Sequence, residues 1–148
     1  MGLPPDLFRP PQLTPIRFTV LGEPVAKQRH RTSRGIQYTP AETIAAEKAV
    51  AWAYRSVTQR MFPGAVALCC AFYLGGKTSA AEKDPRDLSN LMKLVEDGLN
   101  GIAYPDDRRI VCYYPTPFKL LDKLNPRTIV LLQSWPPPKN ERPNPSRG

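Results

Sequence analysis

The sequence predicts an α/β domain of the α+β kind: a small mixed sheet with two main helices, in the order β-α-β-α-β-β. Three observations carry this. Residues 16–21 alternate apolar and polar side chains, two stretches (39–60 and 88–99) repeat apolar side chains at helical spacing, and residues 66–74 form a mostly apolar run of strand length. Strands alternating with amphipathic helices place the helices on a sheet.

In the first strand, Ile16, Phe18 and Val20 make one apolar face against Arg17 and Thr19, and Gly22-Glu23-Pro24 ends it. The basic, unpatterned stretch from Lys27 to Gly35 is expected to be a loop. Thr39 is expected to cap the first helix, with Pro40 at its first position and Glu42 completing a capping box. That helix should run to about Arg60, before Phe62-Pro63-Gly64, with Ala46, Val50, Ala53 and Val57 as its core stripe. Trp52 projects away from that stripe beside Ala45 and Ala49. It is either a subunit contact or a side chain tucked under a neighbouring loop.

Val66 to Leu74 reads as a central strand, broken by Gly75-Gly76-Lys77-Thr78-Ser79. The second helix runs from Leu88 to about Leu99 and is closed by Asn100-Gly101. Two late strands follow, Ile110 to Tyr114 and Arg127 to Leu132. Ten of the 18 prolines fall in residues 1–15 and 134–148. The expected domain is therefore 16–133, between a Pro-rich tail at 1–15 and a Pro-rich basic tail at 134–148, both poorly ordered.

A chain of 148 residues is long enough for one domain with a real core. Twenty-one Lys and Arg against 13 Asp and Glu give a formal charge of +8 and a pI near 9.7. That is the footprint of a nucleic-acid binder, although anionic membrane surfaces also attract such charge. The single histidine, His30, excludes a His-rich zinc site or an HExxH helix. Cys69, Cys70 and Cys112 contain no C-x-x-C pair, so a structural zinc site is not expected. No apolar run approaches about 18 residues, and the start lacks the basic and apolar regions of a signal peptide. The expected location is the cytoplasm, with Cys69 and Cys70 as reduced core residues.

The acids are unevenly placed. Glu82, Asp84, Asp87, Glu96, Asp97, Asp106 and Asp107 are seven of the 13, inside 26 residues. Grouped carboxylates suit a hard cation, or simply a solvated helix face followed by an acidic turn. On a helical wheel Leu88, Leu91, Met92, Val95 and Leu99 form the apolar side, and Asp87, Asn90, Lys93 and Asp97 lie opposite. Asp87 also stands where an N-cap would. Asp97 is about 15 Å further along the axis, too far to share an ion with Asp87. The extended stretch after Gly101 can reach back by up to roughly 20 Å and bring Asp107 back to Asp87. Asp106 then points the other way, as a helper or loop-fixing residue.

At these residues the sequence resembles the RusA-type Holliday junction resolvases, found widely in phages and prophages. The shared run is Pro85-Arg86-Asp87-Leu88-Ser89-Asn90-Leu91-Met92-Lys93, then Asp97-Gly98-Leu99-Asn100-Gly101, then Tyr104-Pro105-Asp106-Asp107. Gly22-Glu23-Pro24-Val25-Ala26-Lys27-Gln28-Arg29 and Tyr38-Thr39-Pro40 resemble the family's N-terminal half, so the likeness covers roughly 16–133. Ser89 departs from the pattern, standing where the family often has a second Asp.

The resemblance implies a Mg²⁺-dependent endodeoxyribonuclease (Mn²⁺ an alternative) that cuts branched DNA as a homodimer, with no small-molecule cofactor. It implies metal ligation by Asp87 and Asp107, with Ser89 direct or through water and Asp106 assisting. Lys93 would face the phosphate or leaving oxygen, and Asn90 and Asp97 would support the ligands; the plainer reading is Lys93 as a surface lysine paired with Asp97 at i+4. Lys27, Arg29, Arg31, Arg34, Lys77, Lys83 and Arg86 would grip DNA phosphates. Two other readings stay open: a non-catalytic branched-DNA binder on the same fold, and a basic RNA-binding module. The RNA module calls for exposed stacking aromatics, whereas Phe18, Phe72 and Tyr73 read as strand-core residues.

Overall fold

The computed structural model describes residues 15–28 and 31–136. Its elements in chain order are β1 (Ile16–Leu21), β2 (Arg31–Ser33), β3 (Ile36–Tyr38), α1 (Ala41–Val57), β4 (Val66–Leu74), α2 (Leu88–Leu99), β5 (Ile110–Tyr113), β6 (Phe118–Leu121) and β7 (Arg127–Ser134). Short 3-10 turns at Ala81–Lys83 and Asp107–Arg109 precede α2 and β5. The predicted mixed sheet with two main helices is present.

The centre of the sheet is β4. One edge pairs antiparallel with β7, which in turn pairs with β1. The other edge is shared by two short parallel partners, β5 along Val66–Leu68 and β6 along Ala71–Leu74. Alternation then sorts the side chains. Val66, Leu68, Cys70, Phe72 and Leu74 join Phe18, Val130 and Leu132 in the core beneath the helices. Ala71, Tyr73, Ile129, Phe118 and Leu120 share the opposite face. There Phe118 meets Tyr73 edge-on, and Arg127 lies over the Tyr73 ring. Phe18 and Phe72 are buried as expected, and Tyr73 is half-buried. The three cysteines are free, with Cys69 and Cys70 buried.

The first helix differs from its expected boundaries. Pro40, with ψ 142, is the N-cap rather than the first helical residue, and no side chain caps the helix. The carbonyl of Pro40 accepts from the N–H groups of Thr43 and Ile44 instead, so Thr39 has no capping role. The helix stops at Val57, where Thr58 turns extended, short of Arg60. Its buried line is Thr43, Val50 and Tyr54, with Ala46 and Ala53 half-buried. Tyr54 sets that rotation: its ring packs edge-on against Phe18 at 5.7 Å and its hydroxyl donates to the carbonyl of Arg60. Val57, past the sheet, is 53% exposed. Trp52 is exposed on the outer side of α1.

Two further differences concern strands. The stretch expected to be a loop contains the β2–β3 hairpin. Arg34 and Gly35 form its two-residue turn with φ 53 and 79, the positive-φ pair a tight hairpin requires. The sequence pattern also concealed β6. Its core-facing positions are Lys119 and Leu121, and its apolar Phe118 and Leu120 point away from the helices.

The second helix matches its expected span. Leu91, Met92, Leu94, Val95, Gly98 and Leu99 are buried, adding Leu94 to the stripe, while Leu88 is half-buried. Gly98 is where α1 comes closest. A Cβ there would stand 2.9 Å from Val50 Cβ and 3.0 Å from the carbonyl oxygen of Glu47. After α2, Gly101 at φ 75 reverses the chain, and buried Tyr104 donates its hydroxyl to the carbonyl of Glu96. The chain so returned delivers residues 106–109 to the side of the helix.

Candidate active site and nucleic-acid interface

Burial of one side of α2 leaves the other facing outward, and Asp87, Asn90 and Lys93 are exposed along it, with Asp97 partly buried at its end. Asp87 occupies the N-cap position, yet its carboxylate makes no capping hydrogen bond. Its backbone carbonyl accepts from Leu91 N–H, and Asn90 Nδ2 stands 3.5 Å from Asp87 Oδ2. The carboxylate therefore retains its acceptor capacity toward solvent.

Lys93 is the hub of the polar face. Its Nζ lies 3.1 Å from Asp97 Oδ1 and 3.0 Å from Asp107 Oδ2, and the side chain is 47% exposed. The hydrogen bond to Asp107, with that to Asp97, holds the ammonium well above the ordinary lysine value despite some desolvation. Asp107 returns to the helix, where its carboxylate bonds Lys93, six residues beyond Asp87; the expected approach to Asp87 itself is not seen among the described residues. Asp106 turns away: its carboxylate accepts from Arg108 N–H at 2.8 Å and so caps the 3-10 turn. That bond lowers its pKa. Ser89 is exposed in the first turn of α2.

Among the described residues, no three His, Cys, Asp or Glu side chains gather as a metal-ligating group. The donors present are two carboxylates, Asp87 and Asp107, with a serine hydroxyl. A Mg²⁺ ion commonly takes one or two carboxylates and fills its remaining positions with water and substrate phosphate. By type these residues suit such an ion, with Asp107 bonded to Lys93 and no contact joining it to Asp87 among the described residues.

The loop that presents Asp87 is rigidly fastened. Asp84 is buried and bonded through both oxygens to Arg86, which holds its carboxyl at about 2. The same guanidinium reaches Glu23 Oε2 and the carbonyl of Pro24 at 2.8 and 2.9 Å. Lys119, from β6, donates to the carbonyls of Asp84 and Arg86. Four of the five guanidinium N–H donors of Arg86, expected to grip DNA, are taken by Asp84, Glu23 and the Pro24 carbonyl, which leaves little donor capacity for a phosphate. Asp84, one of the grouped carboxylates, has both oxygens taken up by Arg86.

Lys27, also expected to grip DNA, is similarly engaged by carboxylates. Its ammonium pairs with Glu47 and Asp97 at 2.5 and 3.1 Å and is only 20% exposed. Desolvation disfavours that charge, and the two hydrogen bonds outweigh it, leaving the pKa raised. Arg34 at the hairpin turn and Lys77 and Lys83 ahead of α2 are exposed or half-exposed and remain candidates for phosphate binding. Arg31 is in β2, and Arg29 lies outside the described residues.

Sequence reasoning missed Lys119, Glu47 and Glu23 as supports of the site, and no local motif marks them. It also passed over the role of Glu96, whose carboxyl is raised by burial and accepts from Tyr113 Oη at 2.9 Å.

A family model described as endodeoxyribonuclease RusA matches residues 22–133, from just after β1 through nearly all of β7. No curated protein matches the chain.

Proposed function

The chain belongs to the RusA endodeoxyribonuclease family, and from that premise we propose that it resolves Holliday junctions as a homodimer, by Mg²⁺-dependent hydrolysis of one phosphodiester per protomer. Membership makes the protein an endodeoxyribonuclease, a hydrolase acting on DNA, in a family whose nucleases depend on divalent metal. No helix among the described residues is long and apolar enough to cross a membrane. We assign it to the cytoplasm, where its DNA substrate is.

The observation that carries the proposal is the placement of Lys93 against Asp107 on the exposed side of α2, downstream of an uncapped Asp87. Asp87 and Asp107 would hold the cation, with Ser89 direct or through water. The ion supplies charge neutralisation at phosphorus and activation of water when bound. An ammonium has three donors, and Asp97 and Asp107 take two from Lys93. The third is left for a phosphate or leaving oxygen, where a fixed positive charge stabilises the transition state. Asn90 orients Asp87, and Asp106 fixes the turn that carries Asp107. Arg34, Lys77 and Lys83 supply backbone contacts that carry little sequence information, which suits recognition of branched shape.

A four-way junction needs two matched cuts, and a C2 dimer provides two sites. Two exposed apolar patches on opposite surfaces, Trp52 on α1 and Phe118 with Leu120 on the sheet, each offer a face for self-association. The test is incubation of a labelled four-way junction with and without Mg²⁺, against a linear duplex. The wild type should cut only the junction and only with the ion. Asp87→Asn and Asp107→Asn should abolish cutting and retain junction binding; wild-type cutting by either removes that residue from the site.

A further inference from the structure

Lys27 enters the site from the loop after β1. Its backbone N–H donates to the carbonyl of Asn90 at 2.8 Å, so the loop lies against the first turns of α2. Its ammonium reaches Glu47 on α1 and Asp97 on α2. Lys93 joins Asp97 to Asp107. Glu47, Lys27, Asp97, Lys93 and Asp107 are thus one chain of alternating charge, linking α1, the loop, α2 and the turn before β5.

The division of Asp97 is the informative detail. Its Oδ2 faces Lys27 at 3.1 Å and its Oδ1 faces Lys93 at 3.1 Å, one lysine per oxygen. Two partners fix the plane of the carboxylate. With Lys27 neutralised, both oxygens are free for Lys93, and the stronger pull of Asp97 draws the ammonium away from Asp107. The close crossing at Gly98 is what lets Glu47 and Asp97 approach a single ammonium.

We propose that Lys27 is a positioning residue of the hydrolysis: by holding one oxygen of Asp97 it keeps Lys93 shared between Asp97 and Asp107, aimed at the scissile phosphate. This rests on the role given to Lys93 above. The alternative is direct phosphate contact by Lys27, and the two separate experimentally.

Lys27→Met and Lys27→Gln would be compared with wild type in single-turnover cleavage of saturating four-way junction, and in junction binding without divalent ion. Lysine ammonium resonances would be recorded by NMR, with that of Lys93 identified by its loss in Lys93→Met. Misplacement of a catalytic group by about 1 Å costs up to a hundredfold. The saturated rate should fall between about ten- and a hundredfold, the junction Kd should stay within about twofold, and the Lys93 resonance should shift or broaden. An unchanged saturated rate overturns the proposal. So does a weaker Kd whose salt slope falls by about one with the rate intact, since that marks a phosphate contact.

If both Lys27 variants melt below the assay temperature, two others decide. Glu47→Gln, which keeps the Lys27–Asp97 pair, should preserve the Lys93 resonance, and Asp97→Asn should displace it; the reverse overturns the proposal. If the wild type cuts no junction, the proposed substrate is wrong, and the response of the Lys93 resonance to Lys27→Gln still tests the positioning link.

Discussion

Gly98→Ala tests the crossing of the two helices, on which the site depends. The added methyl would meet Val50 Cβ at 2.9 Å, the Glu47 carbonyl oxygen at 3.0 Å and Val50 Cγ1 at 3.1 Å, where ordinary contact begins near 3.4 Å. None of these atoms is the free end of a long side chain, so the helices must part by roughly half an ångström. Overpacking of this kind costs about 1–3 kcal/mol. Alanine recovers about 1 kcal/mol of helix propensity over glycine. The net expectation is a loss of about 1 kcal/mol, reaching about 2 if the core resists. For a domain of this length each kcal/mol lowers Tm by about 2–4 °C. Thermal and urea unfolding should both show the loss, the latter with an unchanged m-value. A variant as stable as wild type, or more stable, would refute the reasoning: propensity would then dominate and the crossing would not be tight.

Two further outcomes follow from the charges. Asp84 is depressed from 3.8 to about 2 by Arg86, so its contribution to stability is complete above pH 4 and is lost as pH falls through about 2. Asp84→Asn should lower stability at neutral pH by about 2 kcal/mol and flatten the acid limb between about pH 4 and 2, read by urea unfolding at several pH values. Alanine at Arg34, Lys77 or Lys83 should reduce the slope of log Kd against log salt by about one for each DNA phosphate that the removed cation had neutralised, with the cleavage rate at saturation unaltered.

Local patterning was enough for β1, β4 and α2, because each pairs a regular period with clear breakers. It failed where the decisive partner is distant in sequence. The register of α1 depends on Tyr54 meeting Phe18, and β6 presents a lysine inward because backbone carbonyls at Asp84 and Arg86 receive it. The β2–β3 hairpin was hidden by its basic composition. At the site, the polar side of α2 and the return of the 106–109 stretch to it were legible from helix geometry and chain reach, but the landing of Asp107 on Lys93 rather than at Asp87 was not. The commitments of Lys27 and Arg86 were not, because charge counts do not reveal which cations already have carboxylates beside them in the fold.

The position of β4 has a consequence for how the protein is made. All of its strand partners lie later in the chain, β5, β6 and β7, and the last ends at Ser134. During synthesis the segment Val-Ala-Leu-Cys-Cys-Ala-Phe-Tyr-Leu leaves the ribosome with both edges unpaired and must wait some 60 residues for closure, a matter of seconds at ordinary elongation rates of about 5–20 residues per second. An uncharged, apolar nine-residue strand without proline is a template for intermolecular pairing throughout that interval. Yield on expression should therefore depend on temperature and chaperone supply far more than the stability of the finished domain would suggest.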